Sequence, residues 1–142
     1  MTLMNDFEPE AIEKFKQSGK ILRETREEMK SFVREGMPII DVCEKAEKLI
    51  MAKGGKPAFP CNVSVNEIAA HYTSPPDDER LVPEKSLVKV DIGAHVDGYV
   101  TDTAVTVCFN PEYASLVETA ERALKTAIEN IKPEMSPSRL GS

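Results

Sequence analysis

The chain has 142 residues, of which 41% are hydrophobic and 30% are charged, and its formal net charge is −6 at pH 7. This negative charge argues against a nucleic-acid-binding protein, and no apolar run approaches the ~18 residues that a membrane span needs. The acidic start, MTLMNDFEPE, lacks the apolar segment of a secretory signal. The three cysteines have neither zinc-site nor disulfide spacing, so we expect reduced cysteines and a single cytoplasmic domain.

Two helices are predicted at the start of the chain. Asn5 or Asp6 is placed to cap the first helix, which ends by Gly36. The second helix is predicted over residues 40–53. Apolar residues recur at helical spacing in both, which predicts that they face the core; they are Ile12, Phe15, Leu22, Met29, Val33, Val42, Ala46, Leu49 and Ile50.

Short β-rich pieces and then a loop follow these helices. Residues 57–72, PAFPCNVSVNEIAAHY, contain β-rich pieces around a polar turn. The next residues, TSPPDDER, are predicted to form a loop because of their prolines and charges. The loop contains Asp77, Asp78 and Glu79, which we interpret as solvated, because adjacent like charges on a loop lack a preformed metal site.

The clearest pattern is KVDIGAHVDGYVTDTAVTV, residues 89–107, which predicts a β-hairpin. Apolar and polar residues alternate along the first strand, and Asp97-Gly98 is a favoured pair for a two-residue turn. A turn this tight puts Asp91 and Asp102 on the same face of the hairpin, as diagonal neighbours roughly 7–8 Å apart at the backbone.

The predicted register also leaves space around the two carboxylates. Gly93 pairs with Asp102 and Ala104 pairs with Asp91, so both aspartates lie opposite small residues. Neighbouring buried carboxylates repel each other and are costly to desolvate. The hairpin alone leaves three interpretations open: a metal site, for which carboxylates favour Mn, Fe or Co, an acid dyad with a shared proton, or two surface aspartates. His95 lies next to the turn and is expected to be exposed to solvent.

A last helix is predicted from Pro111 to Ile131, before the helix-breaking Pro133. Its apolar residues lie on one face and include Leu116, Ala120, Leu124 and Ala127. Beyond it, Ser136-Pro137 is typical of the start of a further helix.

Two blocks of the sequence resemble methionine aminopeptidases, and in particular their type 2, archaeal-style branch. They are GGKPAFPCNVSVNEIAAHYTSP, residues 54–75, and LVKVDIGAHVDGYVTDTAVTV, residues 87–107; the phrase NEIAAHYT is similar to type 2 rather than type 1. The resemblance implies the α/β (α+β) pita-bread fold of the creatinase/aminopeptidase class, of which residues 1–142 would form the N-terminal half, with an antiparallel sheet and flanking helices. Enzymes of this family remove the initiator methionine from nascent proteins when the second residue is small.

The resemblance also implies roles for five residues. Asp91 and Asp102 match the hairpin aspartates that ligate a centre of two divalent metal ions, which would be Co, Mn, Fe or Zn. His71 matches a catalytic residue that contacts the substrate near the scissile bond and helps to stabilise the developing charge. Phe59 and Asn62 match residues that line the pocket for the methionine side chain. Taken without the resemblance, a structural role is favoured for His71, and Phe59 and Asn62 are compatible with ordinary core and turn positions.

The family's remaining site residues find no match in this sequence. They are a histidine and two glutamates that ligate the metals, and a second catalytic histidine. We therefore expect the chain to cover about half of the catalytic domain and to be inactive when isolated, whereas the complete enzyme would act as a monomer on N-terminal methionine peptides. Two alternatives stay open: a non-catalytic pita-bread homologue that acts as a binding protein, and a relative of the Xaa-Pro peptidases.

Overall fold

The computed structural model describes residues 8–141. Within that range the α-helices are α1 (Pro9–Phe32), α2 (Ile39–Ala52) and α3 (Ala114–Asn130). The β-strands form one sheet and are β1 (Lys56–Pro57), β2 (Asn62–Val65), β3 (Leu87–Val96) and β4 (Tyr99–Cys108). Short 3-10 helices lie on either side of α3, at Pro111–Tyr113 and Pro137–Leu140.

Strand β3 is the centre of the antiparallel sheet. Strand β4 pairs with it along its whole length, from Leu87 opposite Cys108 to Val96 opposite Tyr99. The tight turn at Asp97-Gly98 and the predicted register are therefore confirmed, without a bulge. Because β4 occupies one edge of β3, both β1 and β2 pair with the opposite edge. Strand β2 pairs with the first part of β3, and β1 pairs with its last part.

One face of the sheet is covered by α1 and α2. Strand β3 contributes Val88, Val90, Ile92 and Ala94 to this face, and none of them is more than 1% exposed. They pack against the apolar residues of both helices, of which Leu22, Met29, Val42, Ala46 and Ile50 are the most buried. Full burial of an aliphatic side chain of this size contributes about 1.5–3 kcal/mol, so this face is where the sheet gains most of its stability.

The first helix differs from its prediction in two respects. It begins at Pro9 after Glu8, whereas Asn5 and Asp6, the predicted caps, lie outside the described residues. The prediction that Ile12 faces the core was wrong, because its side chain is 44% exposed. The sheet-facing side of the helix at this end is formed by small residues, Ala11 and Ser18, which let the helix approach the sheet closely.

Helix α3 has an apolar face that its neighbours do not cover. None of its residues is buried, and Leu116, Leu124 and Ile128 are each more than half exposed. Its links to the rest of the chain include an ion pair of 3.7 Å between Glu121 and Lys30 of α1. No helix in the range 8–141 is both long and apolar enough to cross a membrane. The three cysteines, Cys43, Cys61 and Cys108, are free thiols, as predicted.

Candidate functional site

The two hairpin aspartates lie on the face of the sheet opposite α1 and α2. In the β3–β4 register Asp91 is paired with Ala104 and Asp102 is paired with Gly93, so the two carboxylates are diagonal neighbours. The Asp91 side chain is half-buried, and Asp102 is exposed. We call this side of the hairpin the open face, because Asp102 and Ala104 on it are exposed to solvent.

Burial and mutual repulsion are the main electrostatic effects on the carboxylates of the open face. Burial raises the pKa of the Asp91 carboxyl above its usual range, and the neighbouring Asp102 carboxylate raises it further. The side chain of Asn62 lowers that pKa, and His71 lowers it by a smaller electrostatic effect. The pKa of the Asp91 carboxyl thus responds to three neighbouring residues, Asp102, Asn62 and His71, and the negative charge of the two carboxylates suits a cation.

Asn62 reaches Asp91 because β2 pairs with β3 at this point. Asn62 is the direct cross-strand partner of Asp91, so their side chains project from the same face. The residue before it, Cys61, donates its backbone N–H to Glu47 of α2 over 3.0 Å, which fixes the entry into β2. The strand pairing therefore sets the distance between Asn62 and the carboxylate.

Phe59 occupies the space that the sequence predicted to be empty. A Cβ atom added to Gly93 would lie 2.7 Å from Cδ1 of the Phe59 ring and closer still to Cε1. The backbone N–H of Ala58 donates to the Gly93 carbonyl over 2.9 Å, which anchors the segment that carries the ring. Gly93 is therefore required for the close approach of an apolar ring beside Asp102, rather than for an open notch.

His71 lies on the segment that follows β2. Its side chain is exposed, and its backbone has a left-handed φ of 66°, a conformation that is uncommon for residues other than glycine. The Val63 N–H donates to the carbonyl of the next residue, Tyr72, over 2.7 Å, so the segment that carries His71 runs alongside β2, next to Asn62. The structure thus brings together all five residues singled out from the sequence: Phe59, Asn62, His71, Asp91 and Asp102.

The two carboxylates of the open face have the chemistry of ligands for a divalent cation. Carboxylate oxygens are suitable ligands for hard and intermediate divalent cations, and two carboxylates sharing one space are stabilised by such a cation. Within residues 8–141 no cluster of three or more histidine, cysteine or acidic side chains is arranged to hold a metal ion. The fit is therefore that of a partial ligand set that needs further donors.

The interpretation of the acidic loop as fully solvated was wrong for Asp78. Its side chain is only 5% exposed, whereas Asp77 and Glu79 are exposed. The Tyr72 hydroxyl donates to Asp78 Oδ2 over 2.7 Å and the Ser74 hydroxyl donates to the same oxygen over 2.6 Å. The sequence gives no signal that separates Asp78 from its acidic neighbours, because the distinction comes from the fold of the loop around it.

His95 has a structural role in the hairpin turn. It was expected to be exposed but is half-buried, and its Nδ1 accepts a hydrogen bond of 3.1 Å from the backbone N–H of Gly98. This bond satisfies one of the donors that the two-residue turn leaves free. His95 is consequently an element of the turn and is not grouped with the carboxylates.

Known proteins resemble the chain in both sequence and fold. The methionine aminopeptidase of Methanothermobacter thermautotrophicus is 43% identical over 133 residues, which are 92% of this chain and 44% of that protein. A crystal structure of methionine aminopeptidase from Thermotoga maritima has a TM-score of 0.82 at 30% identity and covers 92% of this chain and 56% of its own. Aminopeptidase P of Escherichia coli has a TM-score of 0.83 at 20% identity, over 94% of this chain and 31% of its own, a likeness of fold alone.

These similarities bear out the predicted architecture. The chain has the helices and antiparallel sheet of the pita-bread enzymes, and it spans less than half of the length of the curated archaeal relative. The profile of metallopeptidase family M24 matches residues 13–142, which include every residue of the open face described above. This chain therefore belongs to metallopeptidase family M24.

Proposed function

We propose that this chain is the N-terminal half of the catalytic domain of a methionine aminopeptidase. The complete enzyme would remove N-terminal methionine from nascent proteins whose second residue is small, and the isolated half would be inactive. The observation that carries the proposal is the diagonal placement of Asp91 and Asp102 on the open face. Asn62, Phe59 and His71 lie beside them. The identity of 43% to an archaeal methionine aminopeptidase favours this substrate over others in the family.

Asp91 and Asp102 are proposed as ligands of two divalent metal ions, drawn from Co, Mn, Fe and Zn. When bound, such ions lower the pKa of water and polarise a peptide carbonyl. The chain itself contributes the two carboxylates, held at fixed separation by the β3–β4 ladder. The Asn62 side chain orients Asp91 from the neighbouring strand, and the remaining ligands come from the second half of the enzyme.

Three residues are proposed to contact the substrate. His71 donates a hydrogen bond near the scissile bond, where negative charge develops in the transition state. The Phe59 ring provides an apolar wall beside Asp102, and with Asn62 it borders the pocket for the methionine side chain. Apolar contacts of this kind discriminate by about 1–3 kcal/mol per methylene, so the metal centre and the free N-terminus add to the selection.

The second half of the enzyme has a further proposed contact with this chain. The apolar face of α3, with Leu116, Leu124 and Ile128 exposed, is a surface that the remaining domain would cover. With both halves present the enzyme would work as a monomer in the cytoplasm, on nascent chains with a free N-terminal methionine.

The proposal is tested by peptide cleavage with the complete gene product. Met-Ala-Ser and an Xaa-Pro peptide are incubated with the protein and Co²⁺ or Mn²⁺, and the products are separated by chromatography. We expect release of methionine from Met-Ala-Ser and little cleavage of the Xaa-Pro peptide. Preference for the Xaa-Pro peptide would overturn the proposal in favour of a prolidase-like enzyme, and cleavage of neither would favour the non-catalytic binding protein.

Two substitutions in the complete enzyme separate the metal ligand from the substrate contact. Asp102→Asn is expected to abolish metal-dependent turnover while far-UV circular dichroism shows a folded protein, because the carboxylate is exposed and not part of the core. His71→Ala is expected to lose turnover and to keep its metal content. Loss of metal in the His71 variant would contradict the role proposed for His71, and normal activity of the Asp102 variant would contradict the ligand assignment.

A further inference from the structure

The loop between β2 and β3 is organised around the buried carboxylate of Asp78. Its Oδ2 accepts hydrogen bonds from the hydroxyl groups of Tyr72 and Ser74, and its Oδ1 accepts one of 3.1 Å from the backbone N–H of Arg80. Both carboxylate oxygens are thus used, although the side chain belongs to an otherwise polar, exposed loop. Three hydrogen-bond donors fix this carboxylate. Asp78 follows His71 by seven positions in the sequence, so the loop that it organises begins beside that histidine.

The residue that Asp78 holds, Tyr72, is also fixed to the sheet. The Tyr72 carbonyl accepts a hydrogen bond of 2.7 Å from the Val63 backbone N–H, and the Tyr72 N–H donates to the buried Ser64 hydroxyl over 3.4 Å. The Arg80 guanidinium lies over the Tyr72 ring, 4.7 Å from its centre. Tyr72 is therefore held through its backbone by β2 and through its side chain by the loop.

The residue before Tyr72 has an uncommon backbone conformation. His71 has a left-handed backbone with φ of 66°, and such a conformation costs an L-residue roughly 1–2 kcal/mol. Residues held in this region persist only where their surroundings over-determine them. The bonds that fix the chain on the C-terminal side of His71 are those of Tyr72, and the phenol end of that side chain is anchored by Asp78.

We propose that Asp78 is a positioning residue for His71. By accepting the Tyr72 hydroxyl it keeps Tyr72 against β2, and Tyr72 in turn keeps the His71 imidazole on the carboxylate side of the hairpin, near Asp91. The catalytic consequence rests on the function proposed above for His71. The orientation of the imidazole does not rest on it, and can be measured separately.

The orientation is tested by NMR of the histidine side chains. The chain has two histidines, His71 and His95, so two sets of imidazole signals are expected, with His95 as an internal reference in the turn. Asp78→Asn should shift the His71 signals and leave those of His95 in place. Asp77→Asn is the matched control, since it removes the same charge from the exposed neighbour, and it should leave both sets unchanged.

A second variant keeps the test decisive if Asp78→Asn does not fold. Tyr72→Phe removes a single hydroxyl and no apolar contact, and it should shift the same His71 signals. In a double-mutant cycle the two substitutions should have less than additive effects, because they break the same hydrogen bond. Unchanged His71 signals in the folded Asp78→Asn protein, or in Tyr72→Phe, would overturn the proposal.

The catalytic consequence is measured with the complete enzyme. Asp78→Asn should lower kcat for Met-Ala-Ser by roughly ten- to a hundred-fold, the order expected when a reacting group is misplaced by about 1 Å, with a change in KM of less than about two-fold. Asp77→Asn should leave both constants unchanged. Failure of the unsubstituted enzyme to release methionine would count against the proposed function alone, because the imidazole signals decide the positioning. An unaltered kcat in Asp78→Asn would overturn the catalytic part of this inference.

Discussion

The two faces of the β3–β4 hairpin differ in composition although they are built from alternate residues of the same strands. On the face covered by α1 and α2, the side chains of Val88, Val90 and Ile92 are at most 1% exposed to solvent. Asp91 and Gly93 alternate with these residues along β3 and lie on the open face. Asp91 places a charge there, and Gly93 has no side chain. The covered face supplies stability, and the open face holds groups that are costly to bring together.

This difference shows how a carboxylate pair is kept in place. Two neighbouring carboxylates destabilise the state that contains them, so another part of the structure has to hold the backbone beneath them. The antiparallel ladder and the apolar side chains on its reverse provide that support. Substitutions on the two faces should therefore differ in kind.

Ile92→Ala on the covered face should have the largest effect on folding. The side chain is 1% exposed and lies in the main core, so its truncation is expected to lower the free energy of unfolding by about 2–5 kcal/mol. Urea denaturation followed by circular dichroism measures this change. Val100→Ala is the control, since Val100 lies on the open face and is 50% exposed, and its effect should stay within about 0.5 kcal/mol. Equal losses in the two variants would contradict the distinction between the faces.

Gly93→Ala should destabilise the protein from the open face by overpacking. The added methyl group would overlap the Phe59 ring, which is a rigid neighbour, and such insertions cost about 1–3 kcal/mol. The loss should be much smaller in a Phe59→Ala background, where the ring is absent. If Gly93→Ala costs the same in both backgrounds, the close contact between the ring and the glycine is not the cause.

Thr25→Val should increase the stability of the covered face. The Thr25 hydroxyl is buried, and within the described residues its oxygen has no hydrogen-bond partner. Replacing it with a methyl group of similar size removes the desolvation cost, with an expected gain of about 1 kcal/mol. Thr101→Val is the contrasting variant, because the Thr101 hydroxyl is 2.7 Å from that of Ser18, and it should lose stability. A loss in both variants would indicate that Thr25 has a partner.

The pH dependence of stability should distinguish Asp91 from Asp78, and this is the smallest of the four effects. Burial and Asp102 raise the pKa of Asp91 in the folded state, so stability should fall as the pH rises from the unfolded-state pKa of about 3.9 through the raised value. The hydroxyl donors Ser74 and Tyr72 lower the pKa of Asp78, so its contribution is present above about 3.9 and is lost as the pH falls through the lowered value.

Unfolding curves recorded between pH 3 and 7 for the parent and for each Asp→Asn variant measure the two contributions. With rising pH, the parent should lose stability relative to Asp91→Asn and gain stability relative to Asp78→Asn. The same direction in both comparisons would contradict the assignment of opposite environments to these two aspartates.

Much of the fold was predictable from the sequence because the relevant signals are local. Alternation and the Asp97-Gly98 pair determined the hairpin register, which the structure confirms residue by residue. The same register placed Asp91 and Asp102 side by side. Periodicity also located the three helices to within a few residues, apart from the start of α1.

The parts that could not be predicted depend on contacts between distant segments. The burial of Asp78 requires Tyr72 and Ser74 to fold back over it, and its neighbours in the sequence have the same charge. Phe59 packs on Gly93 across 34 positions of sequence. The exposure of Ile12 follows from the rotation of α1 against the sheet, which the helical spacing alone leaves open.

The assignment of the open face as a metal site is tested by titrating the chain with Mn²⁺ and recording the paramagnetic broadening of its NMR signals. We predict that broadening begins at the amides around Asp91 and Asp102 and at the His71 imidazole, and that Asp102→Asn removes it. Asp97→Asn, which takes the same charge from the exposed hairpin tip where Asp97 pairs with Lys14, should leave it intact. Broadening that begins at residues 77–79, or that survives Asp102→Asn, would contradict the assignment of the open face as the metal site.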